Sequence, residues 1–188
     1  MYFLFKNNVL FSESVKLRPV EEFININFYR PLAFIVLLPL WKFQIIIKPE
    51  LIVIFHTLLI FLAAFIYLFF SNDFFFLFVV FLLINLKVVL DNLDGQYSRV
   101  FKLESELGRY LDTVMDFIGD LALFIVIGIK HNNLVIALVS FLVFTFILSY
   151  DFNLEYLYRK SKGQEFRKEV KDQNSFYLFF LNPFTVLF

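Results

Sequence analysis

Cysteine is absent from this 188-residue chain, and glycine and proline occur only five times each. Without thiols there is no disulfide framework, no thiolate metal site and no sulfur nucleophile. Net charge is missing too, because 17 Lys+Arg balance 17 Asp+Glu. A nucleic-acid binder carries a basic surplus, so this balance argues against one. What the chain has instead is apolar bulk. It is 60% hydrophobic and 21% aromatic, with 30 Phe, against roughly 45–50% apolar in ordinary globular domains. Disorder is excluded by those numbers. The length allows one domain or two small ones, and a soluble fold of that size could not cover so much apolar surface. The composition is that of a membrane protein. No secretory signal is evident: Glu13, Glu21 and Glu22 sit among basic residues in the first thirty, with no small-residue cleavage site. The start is expected to stay in the mature protein.

A spanning helix needs about 20 mainly apolar residues. Residues 51–70 meet that without a charge, and 74–90 follow with only Lys87 inside. Residues 121–129 become long enough if their helix starts near Leu107, but it then carries Asp112, Asp116 and Asp120. Residues 134–150 form another uncharged span, whereas 176–188 are apolar but short. Before residue 51, Val20, Phe23, Ile24 and Phe28 recur at helical spacing with Glu21, Glu22, Asn25 and Arg30 between them, as in a helix lying in the interface. Residues 31–47 are broken by Pro39, Lys42 and Gln44 and read as part of that arm, with Trp41 at headgroup level. The expected fold is therefore an all-α, polytopic transmembrane helical bundle, with four clear spans, an incomplete fifth and an N-terminal interfacial amphipathic helix. Residues 1–48 form the cytoplasmic or interfacial arm and 49–188 the transmembrane domain. The connection after residue 130 takes one basic residue, Lys130. The other 16 fall in the arm, around 87–109 and in 151–172, which places those regions in the cytoplasm by the positive-inside rule.

Ionised carboxylates inside a membrane are costly and mark function by default. Five aspartates occur within thirty residues: Asp91, Asp94, Asp112, Asp116 and Asp120. Asp91 and Asp94 lie three apart at the cytoplasmic end of one span, and the other three stack at four-residue spacing on the next helix. Like charges so placed repel, and Lys87, one turn before Asp91, offsets only one of them. Carboxylates from two helix ends make an all-oxygen site for hard divalent cations. With His56 and His131 far apart and no cysteine, zinc does not fit. A lone Asp would read as a helix cap or an interfacial residue; four at these spacings do not. Gly95 and Gly108 flank the connection between the two acidic helices, where glycine lets backbone approach a ligand. Arg99 between them suits a phosphate.

Residues 91–116 read Asp91-x2-Asp94-Gly95-x2-Ser98-Arg99-x8-Gly108-x3-Asp112-x3-Asp116. This resembles the D-x2-D-G-x2-A-R-x8-G-x3-D-x3-D motif of the CDP-alcohol phosphatidyltransferases at seven of eight fixed positions, with Ser98 where the family has Ala. Arg30-Pro31-Leu32-Ala33 and Pro49 before a long span are similar to the arm and first span of many members. The resemblance implies six transmembrane helices behind an interfacial helix, and commonly a homodimer. It implies transfer of a substituted phosphate from a CDP-linked alcohol, usually CDP-diacylglycerol, to an acceptor hydroxyl with release of CMP, in phospholipid or related polar-lipid synthesis. Asp91, Asp94, Asp112 and Asp116 would then hold two divalent ions, Mg²⁺ or Mn²⁺. Asp116 would be the general base, and Asp94, Gly95, Ser98, Arg99 and Gly108 would line the CDP site.

Other residues have plainer readings beside the functional one. Asp120 lies outside the motif and either serves the acceptor and metal ligands or makes a buried hydrogen bond. His56 is expected to hydrogen-bond between helices. The Phe excess, Phe74-Phe75-Phe76 included, is lipid-facing bulk. Arg159, Lys160, Lys162, Arg167, Lys168 and Lys171 are expected to attract anionic headgroups, with an acceptor phosphate as the sharper alternative. A divalent-cation transporter would explain the carboxylates but not Arg99 or the glycines, and no inverted repeat is evident. A non-catalytic family member is the third reading, suggested by Ser98 and the short C-terminal span.

Overall fold

A computed structural model describes residues 5, 8–15, 22–70 and 73–163. Among these the regular elements are all helical: α1 (Val9–Ser14), α2 (Arg30–Lys42), α3 (Pro49–Phe70), α4 (Phe74–Phe101), α5 (Glu106–Lys130) and α6 (Leu134–Ser161). Side chains cap the starts of α1, α4 and α5. The Asn8 carboxamide accepts from Phe11 N–H, Asp73 from Phe75 N–H at 3.0 Å, and Ser105 Oγ from Gly108 N–H at 2.9 Å, each satisfying a donor that the first helical turn leaves unpaired. A π-helical turn, Asn25–Tyr29, leads into α2. Pro31 follows at once and has no N–H to extend the regular ladder, which accounts for the widened turn there. α4 stops where Lys102 turns left-handed at φ 56°, with Leu103 N–H closing on the Ser98 carbonyl at 2.8 Å.

Among the described residues three helices, α3, α4 and α6, are long and apolar enough to cross a membrane. The sequence expectation was four. α5, at 25 residues, is the difference: Asp112, Asp116 and Asp120 interrupt its apolar run, although it packs in the same bundle. The outward faces of the spanning helices are mostly apolar. Phe74 is 81% exposed, Val135 75% and Phe146 71%, as surfaces solvated by lipid tails should be. The expected short span over 176–188 lies outside the described residues.

α3 occupies the centre, with α4 on one side and α5 on the other, and α6 packs against α5. α4 and α5 are consecutive in sequence but make little direct backbone contact, so the space between their polar ends is not filled by the bundle itself. The arm closes over α4. Phe11, Phe34, Leu37, Val89, Leu93 and Tyr97 form one buried cluster, with the Phe11 and Phe34 rings edge to face at 5.0 Å. Phe23, Ile24 and Phe28 in the arm point outward, which suits a helix lying against lipid. Two polar residues of α4 tie the arm down. Gln96 donates to the Arg30 carbonyl at 2.9 Å, while Tyr97 Oη donates to the Ile45 carbonyl at 2.9 Å and accepts Ile47 N–H at 2.6 Å. At the far end Gly128 lets α5 and α6 meet: a Cβ there would lie 2.8 Å from Ala137 Cβ.

Candidate metal and nucleotide site

α4 does not end where its apolar run does. It continues for eleven residues past residue 90, to Phe101, and so carries Asp91, Asp94, Gly95, Ser98 and Arg99 on helical backbone. α5 begins at Glu106 and presents Gly108, Asp112 and Asp116 from its first turns. Between them lies a cavity of about 370 Å³ lined by Asp91, Asp94, Gly95, Ser98, Arg99, Gly108 and Asp112, together with Asn25, Arg30, Glu50, Asn92 and Ser105. Its size falls in the range of small-molecule sites.

Three of the four motif aspartates come together, joined by a histidine. Ligand atoms of Asp91, Asp112, Asp116 and His56 all lie within 4.8 Å of one another. Donors on opposite sides of one ion bound at about 2.1 Å are roughly 4.2 Å apart, so these four fit around a cation with little adjustment. Asp94 is not in this group. It lies nearly one turn on, at the cavity wall, and its Oδ1 accepts its own neighbour's Gly95 N–H. The Asp112 Oδ1 and both His56 ring nitrogens are buried and have no hydrogen-bond partner in the structure, at a cost of about 1–3 kcal/mol per group. The site therefore has donor atoms to spare for a ligand.

Lys87 reaches across the helix gap. Its Nζ lies 2.6 Å from Asp116 Oδ1, so it pairs with a carboxylate of the neighbouring helix while standing one turn before Asp91 on its own. His56, expected to hydrogen-bond between helices, makes no hydrogen bond; its Nε2 is 3.7 Å from Asp112 Oδ1. Asp116 and Asp120 are not on the cavity wall and lie behind Asp112 along α5.

A family model described as CDP-alcohol phosphatidyltransferase matches residues 46–180. The chain belongs to that family. The match begins at the connection into α3, leaving the arm outside it. An uncharacterized protein of Aquifex aeolicus (strain VF5) is 31% identical over 87 residues, which make up 46% of this chain and 42% of that protein. The aligned stretch thus spans less than half of that relative.

The family's motif residues can now be read by what they touch. Arg99 donates through Nε to the Ser14 carbonyl of α1, which aims its guanidinium along the cavity wall. Gly95 makes room for it: a Cβ there would stand 3.2 Å from Arg99 Nη2. Gly108 has a different reason, since a Cβ would press to 2.9 Å on Ser105 Oγ, the cap of α5. Ser98, the departure from the motif, donates to the Gly95 carbonyl at 3.1 Å, so its hydroxyl is accommodated within the helix. Arg109 is held by Glu106 at 2.8 Å and Glu104 at 3.6 Å, and Arg159 by Glu155 at 2.8 Å. Lys160 and Lys162 lie over the Tyr156 and Tyr158 rings; Arg167, Lys168 and Lys171 fall outside the described residues. The sequence reading missed His56 in the cluster and Glu50 on the wall. Glu50 meets Ser105 at 3.4 Å. Neither has a motif to mark it, and each arrives from α3 only once the helices are packed.

Proposed function

We propose that this protein transfers a substituted phosphate from CDP-diacylglycerol to an acceptor hydroxyl, releasing CMP. The observation that carries the reading is the meeting of Asp91, Asp112 and Asp116 beside a cavity whose wall presents Arg99, Gly95 and Gly108. In the reaction a bond forms between the acceptor oxygen and phosphorus, and the bond from that phosphorus to the bridging oxygen of the pyrophosphate breaks. CMP takes the bridging oxygen, and the acceptor proton passes to Asp116 as general base. Lys87 holds that carboxylate in place through its Oδ1.

Asp91, Asp94, Asp112 and Asp116 are the residues to hold two divalent ions, Mg²⁺ or Mn²⁺, for which carboxylate oxygens are suitable ligands. When bound, the ions supply charge stabilisation on the pyrophosphate and the departing CMP. Asp94, Gly95, Ser98, Arg99 and Gly108 line the CDP half, with the Arg99 fork matched to phosphate oxygens. The diacyl chains of the donor remain in the bilayer beside the exposed apolar faces of the bundle. A cytoplasmic site is supported by the distribution of basic residues along the sequence, 16 of 17 of which fall in the arm, around 87–109 and in 151–172. A homodimer is the assembly that the resemblance implies, and cross-linking in vesicles checks it.

The test is purified protein in vesicles with labelled CDP-diacylglycerol and a panel of acceptors: glycerol 3-phosphate, inositol or its phosphate, and serine. CMP and a product lipid should appear together, in equal amounts, with one acceptor and only with Mg²⁺ or Mn²⁺. Absence of CMP under every combination would overturn the proposal, and divalent-cation flux without CMP would favour a transporter.

A further inference from the structure

His56 stands outside the family motif, 35 residues before Asp91, yet the packing of α3 carries it into the aspartate cluster. It is 0% exposed. Neither ring nitrogen has a hydrogen-bond partner, and burying unpaired imidazole nitrogens is unfavourable. The carboxylate facing it, Asp112, likewise has an unpaired buried Oδ1. The separation of the two is informative. A charge-assisted hydrogen bond would bring Nε2 and Oδ1 to about 2.7–2.9 Å; the distance is 3.7 Å. Two ligands of one cation, each bound at about 2.1 Å, lie roughly 3.0 Å apart when adjacent and 4.2 Å when opposite. The observed spacing falls between those limits and outside hydrogen-bond range.

We propose that His56 is a nitrogen ligand to the divalent cation held by Asp91, Asp112 and Asp116, which makes this site one of mixed nitrogen and oxygen donors rather than oxygen alone. The inference rests on the metal reading above and adds to it. Its consequence is selectivity. Carboxylates suit Mg²⁺, Ca²⁺ and Mn²⁺ alike, whereas imidazole suits first-row transition ions; of the two candidate ions Mn²⁺ is the one that accepts nitrogen readily, so His56 biases the site toward Mn²⁺ over Mg²⁺.

The experiment is pulsed EPR on the full chain loaded with Mn²⁺ in nanodiscs, read for hyperfine coupling to a directly bound imidazole nitrogen. Labelling histidine with ¹⁵N identifies the residue type. Wild type and His131→Gln should both show the coupling, since His131 bonds Tyr67 at the opposite end of α3. His56→Gln should lose it while still binding Mn²⁺, with Mn²⁺ affinity lowered about tenfold or more and Mg²⁺ affinity changed much less. Bound Mn²⁺ without histidine coupling in wild type overturns the assignment of His56 and leaves the carboxylate site standing; so does coupling that survives in His56→Gln. Failure of wild type to bind Mn²⁺ at all overturns both. Should His56→Gln not fold, the labelled wild-type and His131→Gln spectra decide the matter alone.

Discussion

The two histidines occupy opposite ends of one bundle, and their surroundings differ in kind. His131, just past the end of α5, is exposed and pairs with Tyr67 Oη at 3.0 Å; beside it Lys130 donates to the Leu68 carbonyl at 3.2 Å. Polar groups there find partners, and helices close up through Gly128 and Ala137. At the other end α4 and α5 stand apart around a cavity. Among the described residues, with the Asp116 oxygen held by Lys87 set aside, the buried side-chain polar atoms without a hydrogen bond belong to Asn25, His56, Gln96 and Asp112, all at that end. One end of the bundle is satisfied by itself; the other is arranged to be completed by a ligand.

Substitutions break this contrast in order of expected size. Asp116→Asn removes the base and a metal ligand together, and CMP release should fall by more than about 1000-fold; near-wild-type turnover would remove Asp116 from the role of base. Asp112→Asn should abolish transfer and also weaken Mn²⁺ binding in an equilibrium titration, and unchanged affinity would count against the metal site. Arg99→Ala, which deletes a charged partner for phosphate, should lower kcat/KM for the CDP donor by about 10- to 100-fold while leaving KM for the acceptor alone. At the satisfied end the effects turn structural. Gly128→Ala places a Cβ 2.8 Å from Ala137 Cβ and should cost about 1–3 kcal/mol, seen as a lower Tm with kinetic constants unchanged in the folded fraction. Tyr67→Phe deletes one exposed hydrogen bond and should cost less than about 1 kcal/mol, with no kinetic effect.

The contrast also separates what could be read from the sequence from what could not. The spans at 51–70, 74–90 and 134–150 were legible because lipid demands uninterrupted apolar runs, and the helices found there begin within two residues of those readings. Their ends at the aspartate site were less legible. Hydropathy stops at Asp91, but α4 runs on to Phe101 until Lys102 turns left-handed, and α6 runs eleven residues past Tyr150. Asp112 and Asp116 share a face because spacing along one helix fixes it. Contacts between helices follow no such local rule. Lys87, one turn before Asp91, was expected to offset one carboxylate without a choice among them, and the packing joins it to Asp116; His56 was given to a hydrogen bond and instead faces the carboxylates. Both depend on how α3 sits between α4 and α5, which no spacing within a single helix encodes.

The central claim is that the open end of the bundle performs metal-dependent transfer from a CDP-alcohol. Its most direct measurement is CMP released from labelled CDP-diacylglycerol by the purified protein, with and without Mg²⁺ or Mn²⁺, beside the Asp116→Asn variant. The account expects CMP in step with product lipid, only with a divalent ion present, and none above background from the variant. Undiminished CMP from Asp116→Asn, or no CMP from the wild type with any acceptor and either ion, would contradict it.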